Sequence, residues 1–209
     1  MKIYKQENNK RCGIACLRSI MNHYGNNFSE EDVLTKHSPY YSNDGVRNPI
    51  INLGVTALKF GFGVKYIGYN PHTTNNNSSS NLKKSLKEKS KTYSDYEKFY
   101  VDETLKFLEL GGELKIEKLN IEKIKKIIDK NKFVLVEIKP AFVNKWSSIK
   151  KNHKVIVIGY NKKGFKILNP SDAKEHVWDF DTFLLAFYAA IPELLIIKNK
   201  KIRKKETIK

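Results

Sequence analysis

A glutamine and a cysteine six positions apart near the start of the chain have the residue types needed for acyl chemistry. Gln6 precedes Cys12 in the segment Gln-Glu-Asn-Asn-Lys-Arg-Cys-Gly, and apolar residues at helical spacing follow it. A thiol in the first turn of a helix lies at the positive end of the helix dipole, which favours the nucleophilic thiolate. The glutamine amide and the cysteine's backbone N–H can both donate to an oxyanion. The segment therefore predicts a nucleophile, and a base must come from elsewhere in the chain.

The candidates for that base are the five histidines, His23, His37, His72, His153 and His176. His153 is the best placed, because it opens an apolar strand that would hold its ring rigidly after a polar loop. His23 stands on the cysteine's own helix, and the eleven intervening steps put it roughly 16 Å away, too far to act on Cys12. The other three stand in or beside predicted loops and turns.

A residue that orients the imidazole is expected where the strand after His153 returns. Asn161-Lys-Lys-Gly164 predicts a tight hairpin, which brings Asn169 within side-chain reach of His153. An Asn or Asp there can fix the imidazole tautomer. The alternative is an Asn-Pro turn that only ends a strand. Whether Asp172 assists or replaces Asn169 stays open.

The elements that must position these residues change character along the chain. Helices are predicted at 12–24, after the capping box Ser29–Asp32, at 46–60, at 82–109 up to the Gly111-Gly112 stop, and after an Asn120 cap. Strands are predicted at 62–69, 132–139, 153–160, 164–168 and 193–198, with a helix at 180–188. Helices first and sheet second predict an α+β fold, with a nucleophile helix packed on a C-terminal antiparallel sheet.

One domain over residues 1–198 accounts for most of the 209 residues. Residues 70–81 are rich in Asn and Ser, and we expect 70–112 to be an insertion or lid, because its apolar content is too thin for a separate core. Residues 199–209 form a basic tail that we expect to be flexible. The two cysteines, Cys12 and Cys16, are expected to be free thiols because their spacing on one helix suits a disulfide poorly.

The net charge of +17 predicts attraction to anionic partners through a basic surface. Only four of the basic residues are arginines, which argues against specific nucleic-acid recognition. No apolar run would span a bilayer and no secretory signal is readable, so we expect a cytoplasmic protein. The sequence has no P-loop, dinucleotide fingerprint or EF-hand, and we predict no cofactor.

The chain resembles the C39-like cysteine peptidases in the order of four motifs, which are Gln6, Cys12-Gly13, His153 and Asn169-Pro170. These are relatives of the papain fold that include the double-glycine leader peptidases fused to bacteriocin exporters. The resemblance covers residues 1–69 and about 120–198. The family often has Asp before the cysteine, where Arg11 stands here, and we hypothesise that Arg11 lowers the pKa of the thiol. It commonly has Asp as the orienting residue, whereas Asn169 stands here, as in papain.

The resemblance implies hydrolysis of a peptide or related amide through a thioester. Cys12 would be the nucleophile and His153 the base, with Asn169 orienting the base and Gln6 binding the oxyanion. One alternative keeps the site and transfers the acyl group to an amine, as in transpeptidation. Another is a non-catalytic basic module that binds anionic peptide, lipid or nucleic acid.

Overall fold

The computed structural model describes residues 1–42, 45–68, 84, 94–143 and 151–199. Its helices are α1 (Cys12–His23), α2 (Glu30–Thr35), α3 (Ile50–Lys59), α4 (Asp95–Glu109), α5 (Ile121–Asn131) and α6 (Phe180–Ala189), with a 3₁₀ turn at Pro140–Phe142. Its strands are β1 (Tyr40–Ser42), β2 (Gly45–Arg47), β3 (Gly63–Gly68), β4 (Glu113–Ile116), β5 (Val134–Ile138), β6 (His153–Asn161), β7 (Gly164–Asn169), β8 (Lys174–Trp178) and β9 (Glu193–Lys198).

Seven of these strands form one sheet in the order β4-β3-β9-β5-β6-β7-β8, and β1 and β2 form a separate hairpin. The large sheet is antiparallel except for its β3–β4 pair, which is parallel. The predicted α+β organisation is confirmed. Strand β9 lies between β3 and β5, so it connects the strand of the helical half to the C-terminal meander.

The sheet is the central layer of the molecule, with a hydrophobic core on each face. Side chains of α1 and α3 pack with Leu135 and Ile156 on one face. Side chains of α5 and α6 pack with Val134, Val136 and Val155 on the other. Alternate residues of β5 and β6 therefore enter opposite cores, as the two-residue period of a strand requires.

Local sequence signals account for where several elements begin. The Ser29 hydroxyl and the Asp32 carboxylate form the predicted capping box of α2, and Pro49 is the N-cap of α3. Asn120 caps α5 by accepting from the Lys123 N–H. The predicted β6–β7 hairpin forms with Asn161 opposite Gly164.

Part of the segment 70–112 lies in the core. Helix α4 packs on α3, where a Cβ at Gly54 would lie 2.9 Å from Cε2 of the fully buried Phe107. The helix ends at Glu109 with Leu110 as its C-cap, and the next residue, Gly111, has a φ of +82° that suits a glycine. The Asn- and Ser-rich stretch and, apart from residue 84, the first part of the predicted helix lie outside the described residues. The description of 70–112 as an insertion stays a prediction, as does the tail beyond residue 199.

No helix in the described ranges is both long enough and apolar enough to cross a membrane.

Candidate functional site

The site is built around the first residue of α1. Cys12 opens the helix, and its side chain is 7% exposed. The next residue must be small, because a Cβ at Gly13 would lie 2.7 Å from Leu53 Cδ1 and 3.4 Å from Lys154 Cδ. This close packing seats the start of α1 against α3 and β6. The thiol lies beside the unpaired N–H groups of the first helical turn.

His153 and Asn169 lie at the same end of the sheet, because one opens β6 and the other closes the antiparallel β7. The imidazole Nε2 is 2.8 Å from the Asn169 Oδ1. The same ring is hydrogen-bonded to the Cys12 thiol, which leaves Nδ1 as the nitrogen that faces sulfur. Asn169 is held in turn by the N–H and hydroxyl of Ser171, which donate to its Oδ1. The structure thus brings the predicted nucleophile, base and orienting residue together.

The electrostatics of the site favour a thiolate–imidazolium pair. Burial raises the pKa of Cys12, but the hydrogen bond from His153 and the charge of Lys154 outweigh it, so the pKa is lowered. Burial lowers the pKa of His153, but the bond to Cys12 and the bond to Asn169 leave it raised. Cys16 lies one turn further along α1, and burial raises its pKa well above the usual value. Only the first of the two thiols is therefore activated.

Gln6 is tied to the same end of the sheet through its backbone. Its N–H donates to the Pro170 carbonyl at 2.9 Å, next to Asn169. Its side-chain Nε2 donates to the Asn8 carbonyl at 2.9 Å. A primary amide has two N–H donors, so that bond leaves one for a ligand. Its Oε1 is buried without a hydrogen-bond partner among the described residues.

Arg11 is engaged by carboxylates. Its Nη1 lies 3.0 Å from Glu7, 3.1 Å from Glu30 and 3.4 Å from Glu31. The Glu30 side chain is 1% exposed, so the guanidinium fastens the segment before Cys12 to α2. These contacts do not support the role in thiol ionisation that its adjacency to Cys12 indicated.

Two other histidines have partners of their own. His37 is buried between Thr56 Oγ1 at 2.9 Å and Asn48 Oδ1 at 2.8 Å. Burial lowers its pKa to about 4, so it is neutral near pH 7. The Asn48 amide then donates to the Lys10 carbonyl at 3.0 Å, so His37 supports the segment before Cys12.

His176 is paired with Asp172, whose Oδ2 lies 2.7 Å from its Nε2. Asp172 therefore contacts His176, whereas Asn169 contacts His153. This arrangement assigns Asn169, and not Asp172, to the histidine that faces the thiol.

A cavity of about 590 Å³ opens at this end of the sheet, and Gln6, His153, Asn169, Asn152, His176 and Trp178 are among its lining residues. The last three were not predicted from the sequence. Trp178 belongs to the edge strand β8, which was not predicted from the sequence. Asn152 could have been predicted as a residue of the site, because it directly precedes His153. Within the described ranges, no group of three or more His, Cys, Asp or Glu side chains is arranged to hold a metal ion.

Several solved structures share this fold. A double glycine motif protease from an AMS/PCAT transporter, solved with its leader peptide, aligns with a TM-score of 0.51 at 15% identity, covering 95% of this chain and 91% of that one. The peptidase domain of Streptococcus ComA, a bifunctional ABC transporter, aligns with a TM-score of 0.51 at 13% identity, covering 95% and 98%. A putative C39-like peptidase from Bacillus anthracis aligns with a TM-score of 0.57 at 12% identity, covering 95% and 94%. At these identities the likeness establishes the fold.

The comparison of the sequence with protein-family models identifies the family. No curated protein matches the chain. The model described as the Peptidase_C39 like family matches residues 1–193, which include the candidate nucleophile, base and orienting residue. Both the matched range and the shared architecture lead to one conclusion: the chain belongs to the peptidase C39-like family.

Proposed function

We propose that the protein is a cysteine peptidase that hydrolyses a peptide or related amide bond through a thioester on Cys12. The observation that carries this proposal is the position of His153. Its ring bonds to the Cys12 thiol on one side and lies 2.8 Å from the Asn169 Oδ1 on the other. That arrangement supplies an activated nucleophile, a proton carrier and a group that fixes the carrier's orientation.

The chemistry proceeds in two steps from the thiolate–imidazolium pair. The Cys12 sulfur attacks the carbonyl carbon, while the Cys12 N–H and the free N–H of Gln6 donate to the oxyanion. The imidazolium of His153 then protonates the amine as the C–N bond breaks, which leaves a thioester. In the second step His153 takes a proton from water, the water oxygen attacks the thioester, and the C–S bond breaks to release the acid.

The family and the cavity both support a peptide as the substrate. One structural neighbour was solved with its leader peptide, and the cavity beside His153 is large enough for a few residues of an extended chain. We therefore infer a peptide substrate. The two cysteines are free, which fits a reducing compartment, and we infer a cytoplasmic location.

Alkylation with iodoacetamide near pH 6 tests the nucleophile, and Cys16 serves as an internal control on the same helix. We expect Cys12 to react at least ~10-fold faster than Cys16 or free cysteine, because only its pKa is lowered. Peptide mapping by mass spectrometry separates the two sites, and Cys12→Ala must remove the fast phase. If Cys12 reacts no faster than Cys16, and His153→Ala leaves its rate unchanged, the enzyme proposal fails.

A peptide library then tests the reaction, with Cys12→Ala as the matched control. Cleavage by the wild type and not by the variant supports hydrolysis. Adding methylamine distinguishes the acceptor, because an acyl transferase would form the N-methyl amide in place of the acid. A non-catalytic module would bind peptides equally well with either residue at position 12 and cleave none.

A further inference from the structure

A buried ion pair lies directly beneath the proposed site. The Lys154 Nζ is 2.8 Å from the Glu137 Oε2, and the two side chains are 9% and 6% exposed. The residues are cross-strand partners on β6 and β5. Replacing a buried ion pair by apolar side chains is often neutral or stabilising. Stability alone therefore does not explain why the pair is present.

Glu137 contacts both residues that flank His153. Its Oε2 accepts from Lys154, and its Oε1 accepts from the Asn152 amide. One carboxylate on β5 thus holds the chain immediately before and immediately after the proposed base. These contacts restrain the backbone that carries His153, while the ring itself bonds to Asn169.

Lys154 also contacts the first turn of α1. Its Cδ would lie 3.4 Å from a Cβ at Gly13, so its aliphatic stem passes against the residue after Cys12. Its carbonyl accepts from the Cys16 thiol at 3.5 Å. Its backbone N–H bonds to the Cys12 sulfur, and its ammonium charge lowers the pKa of that thiol. The lysine is thus in contact with the nucleophile's helix through both its backbone and its side chain.

We propose that Glu137 and Lys154 are positioning residues of this site: Glu137 clamps the two neighbours of His153, and the buried Lys154 ammonium stabilises the Cys12 thiolate. The inference rests on the proposed function, because it assigns these roles to the same nucleophile and base. A fixed buried cation is effective here because the low dielectric around it strengthens its attraction to the thiolate.

Besides Glu137, the other titratable groups that face Lys154 add no further negative charge near pH 7. Glu193 on β9 is buried, and burial together with the charge of Glu137 raises its pKa to about 8, so it is largely protonated. His37 is neutral because its pKa is about 4. Tyr96 on α4 is neutral because burial raises its pKa. Cys16, which faces Cys12 from the same helix, is a thiol for the same reason.

The test is the pH dependence of Cys12 alkylation in the double variant Lys154→Met/Glu137→Gln. This change removes both charges, so no unpaired charge is left buried, and it keeps an acceptor for Asn152. We expect the midpoint pH of the alkylation rate profile to rise by about one unit. At pH values well below the wild-type midpoint, the reaction would then be ~10-fold slower. A lysine that only filled space would leave the midpoint unchanged.

The matched control is Lys65→Met/Glu113→Gln, which removes an ion pair of the same composition between β3 and β4. That pair is 3.4 Å apart and partly exposed, with side chains 35% and 63% accessible. We expect its alkylation midpoint to equal that of the wild type. A folded Lys154→Met/Glu137→Gln protein whose midpoint also equals the wild type overturns the inference.

Two further measurements keep the test decisive if that variant does not fold. Lys154→Met/Glu137→Leu replaces the pair by apolar side chains, and its midpoint should rise equally. The wild-type midpoint should also be the same at about 0.05 M and about 1 M NaCl, because a buried cation is hardly screened. A midpoint that rises with salt assigns the effect to surface lysines and overturns the inference.

These outcomes are separable from failure of the proposed function. If wild-type Cys12 reacts no faster than Cys16, the peptidase proposal fails at the first step. If Cys12 is fast in the wild type but its midpoint is insensitive to Lys154 and Glu137, only the positioning roles fail.

Discussion

Asn169 ends β7 and Asp172 follows it by three residues, yet the two side chains contact different histidines. The Asn169 Oδ1 lies 2.8 Å from His153, and the Asp172 Oδ2 lies 2.7 Å from His176. Because both pairs line one cavity, sequence proximity alone cannot tell which residue orients the base. The hydrogen bonds distinguish them.

We predict that Asn169→Ala lowers kcat/KM for a cleaved peptide by ~10-fold or more, because the imidazole loses the group that fixes its orientation. Asp172→Ala is the control and should retain most of the activity. Initial rates across pH measure both. Equal losses in the two variants would contradict the assignment.

Much of this residue-level arrangement could be predicted because it depends on short-range geometry. A four-residue hairpin turn sets the register that brings residue 169 to residue 153, so one local signal locates two residues. Glu137 and Lys154 could not be found this way. Each is a charged residue within an apolar strand, and such a residue is usually expected to face solvent. Only the pairing of β5 with β6 shows that the two side chains form an ion pair.

At the scale of elements, the start of α1 is pressed against two neighbours. Gly13 permits this close packing, because a Cβ at that position would lie 2.7 Å from Leu53 Cδ1. Helix α1 is thereby held against α3 and β6 at the point where the thiol stands. In an exposed helix, replacing glycine by alanine would instead stabilise the protein by roughly 0.5–1 kcal/mol.

We predict that Gly13→Ala destabilises the protein by about 1–3 kcal/mol and slows Cys12 alkylation, because the buried Leu53 and the first turn of α1 must shift apart. Thermal unfolding and the alkylation rate measure the two effects. Gly13→Ala/Leu53→Val removes the clashing carbon and should recover much of the alkylation rate. A single variant more stable than the wild type would show that the contact is loose.

Elements with strong local signals were predicted, and short strands were not. Helices α2 and α5 carry cap residues, and β5 to β7 are rich in β-branched residues. The edge strand β8 alternates exposed and half-buried residues only from Glu175 to Trp178, and β4 alternates over only four residues. Their assignment depends on the neighbouring strand with which they pair, which the local sequence does not specify.

For the molecule as a whole, the buried carboxyl of Glu193 links stability to pH. It accepts hydrogen bonds from the hydroxyls of Tyr66 at 2.7 Å and Tyr100 at 3.1 Å. Its pKa is raised from 4.5 to about 8, first by burial and then by the charge of Glu137. Since the folded state holds this proton more tightly than the unfolded state, the stabilisation is fully present below pH 4.5 and is lost as pH rises through about 8.

We therefore predict that the Tm of Glu193→Gln rises relative to that of the wild type as pH increases from about 4.5 to about 8, because an amide has no proton to lose. The difference in the free energy of unfolding between the two proteins should change by at most about 1.4 kcal/mol per pH unit. Thermal unfolding across this range measures it, with the exposed Glu175→Gln as the control. Parallel curves for wild type and Glu193→Gln would show that Glu193 titrates normally.

The overall α+β class could be predicted from helical patterns that precede β-rich ones. The sheet order could not, because β9 pairs with β3 across more than a hundred residues of intervening chain, and no local pattern encodes such a pairing.

The central place of β9 has a consequence for how the molecule is made. Synthesis runs from the N-terminus, so α1 and its thiol emerge before the proposed base on β6, and the strand that joins the two halves of the sheet emerges after both. Contacts between such distant parts of a chain form slowly. A nascent chain would therefore carry Cys12 without a partner imidazole until His153 had emerged, and the proposed site would be complete only once residues 193–198 had been added and the sheet had become continuous.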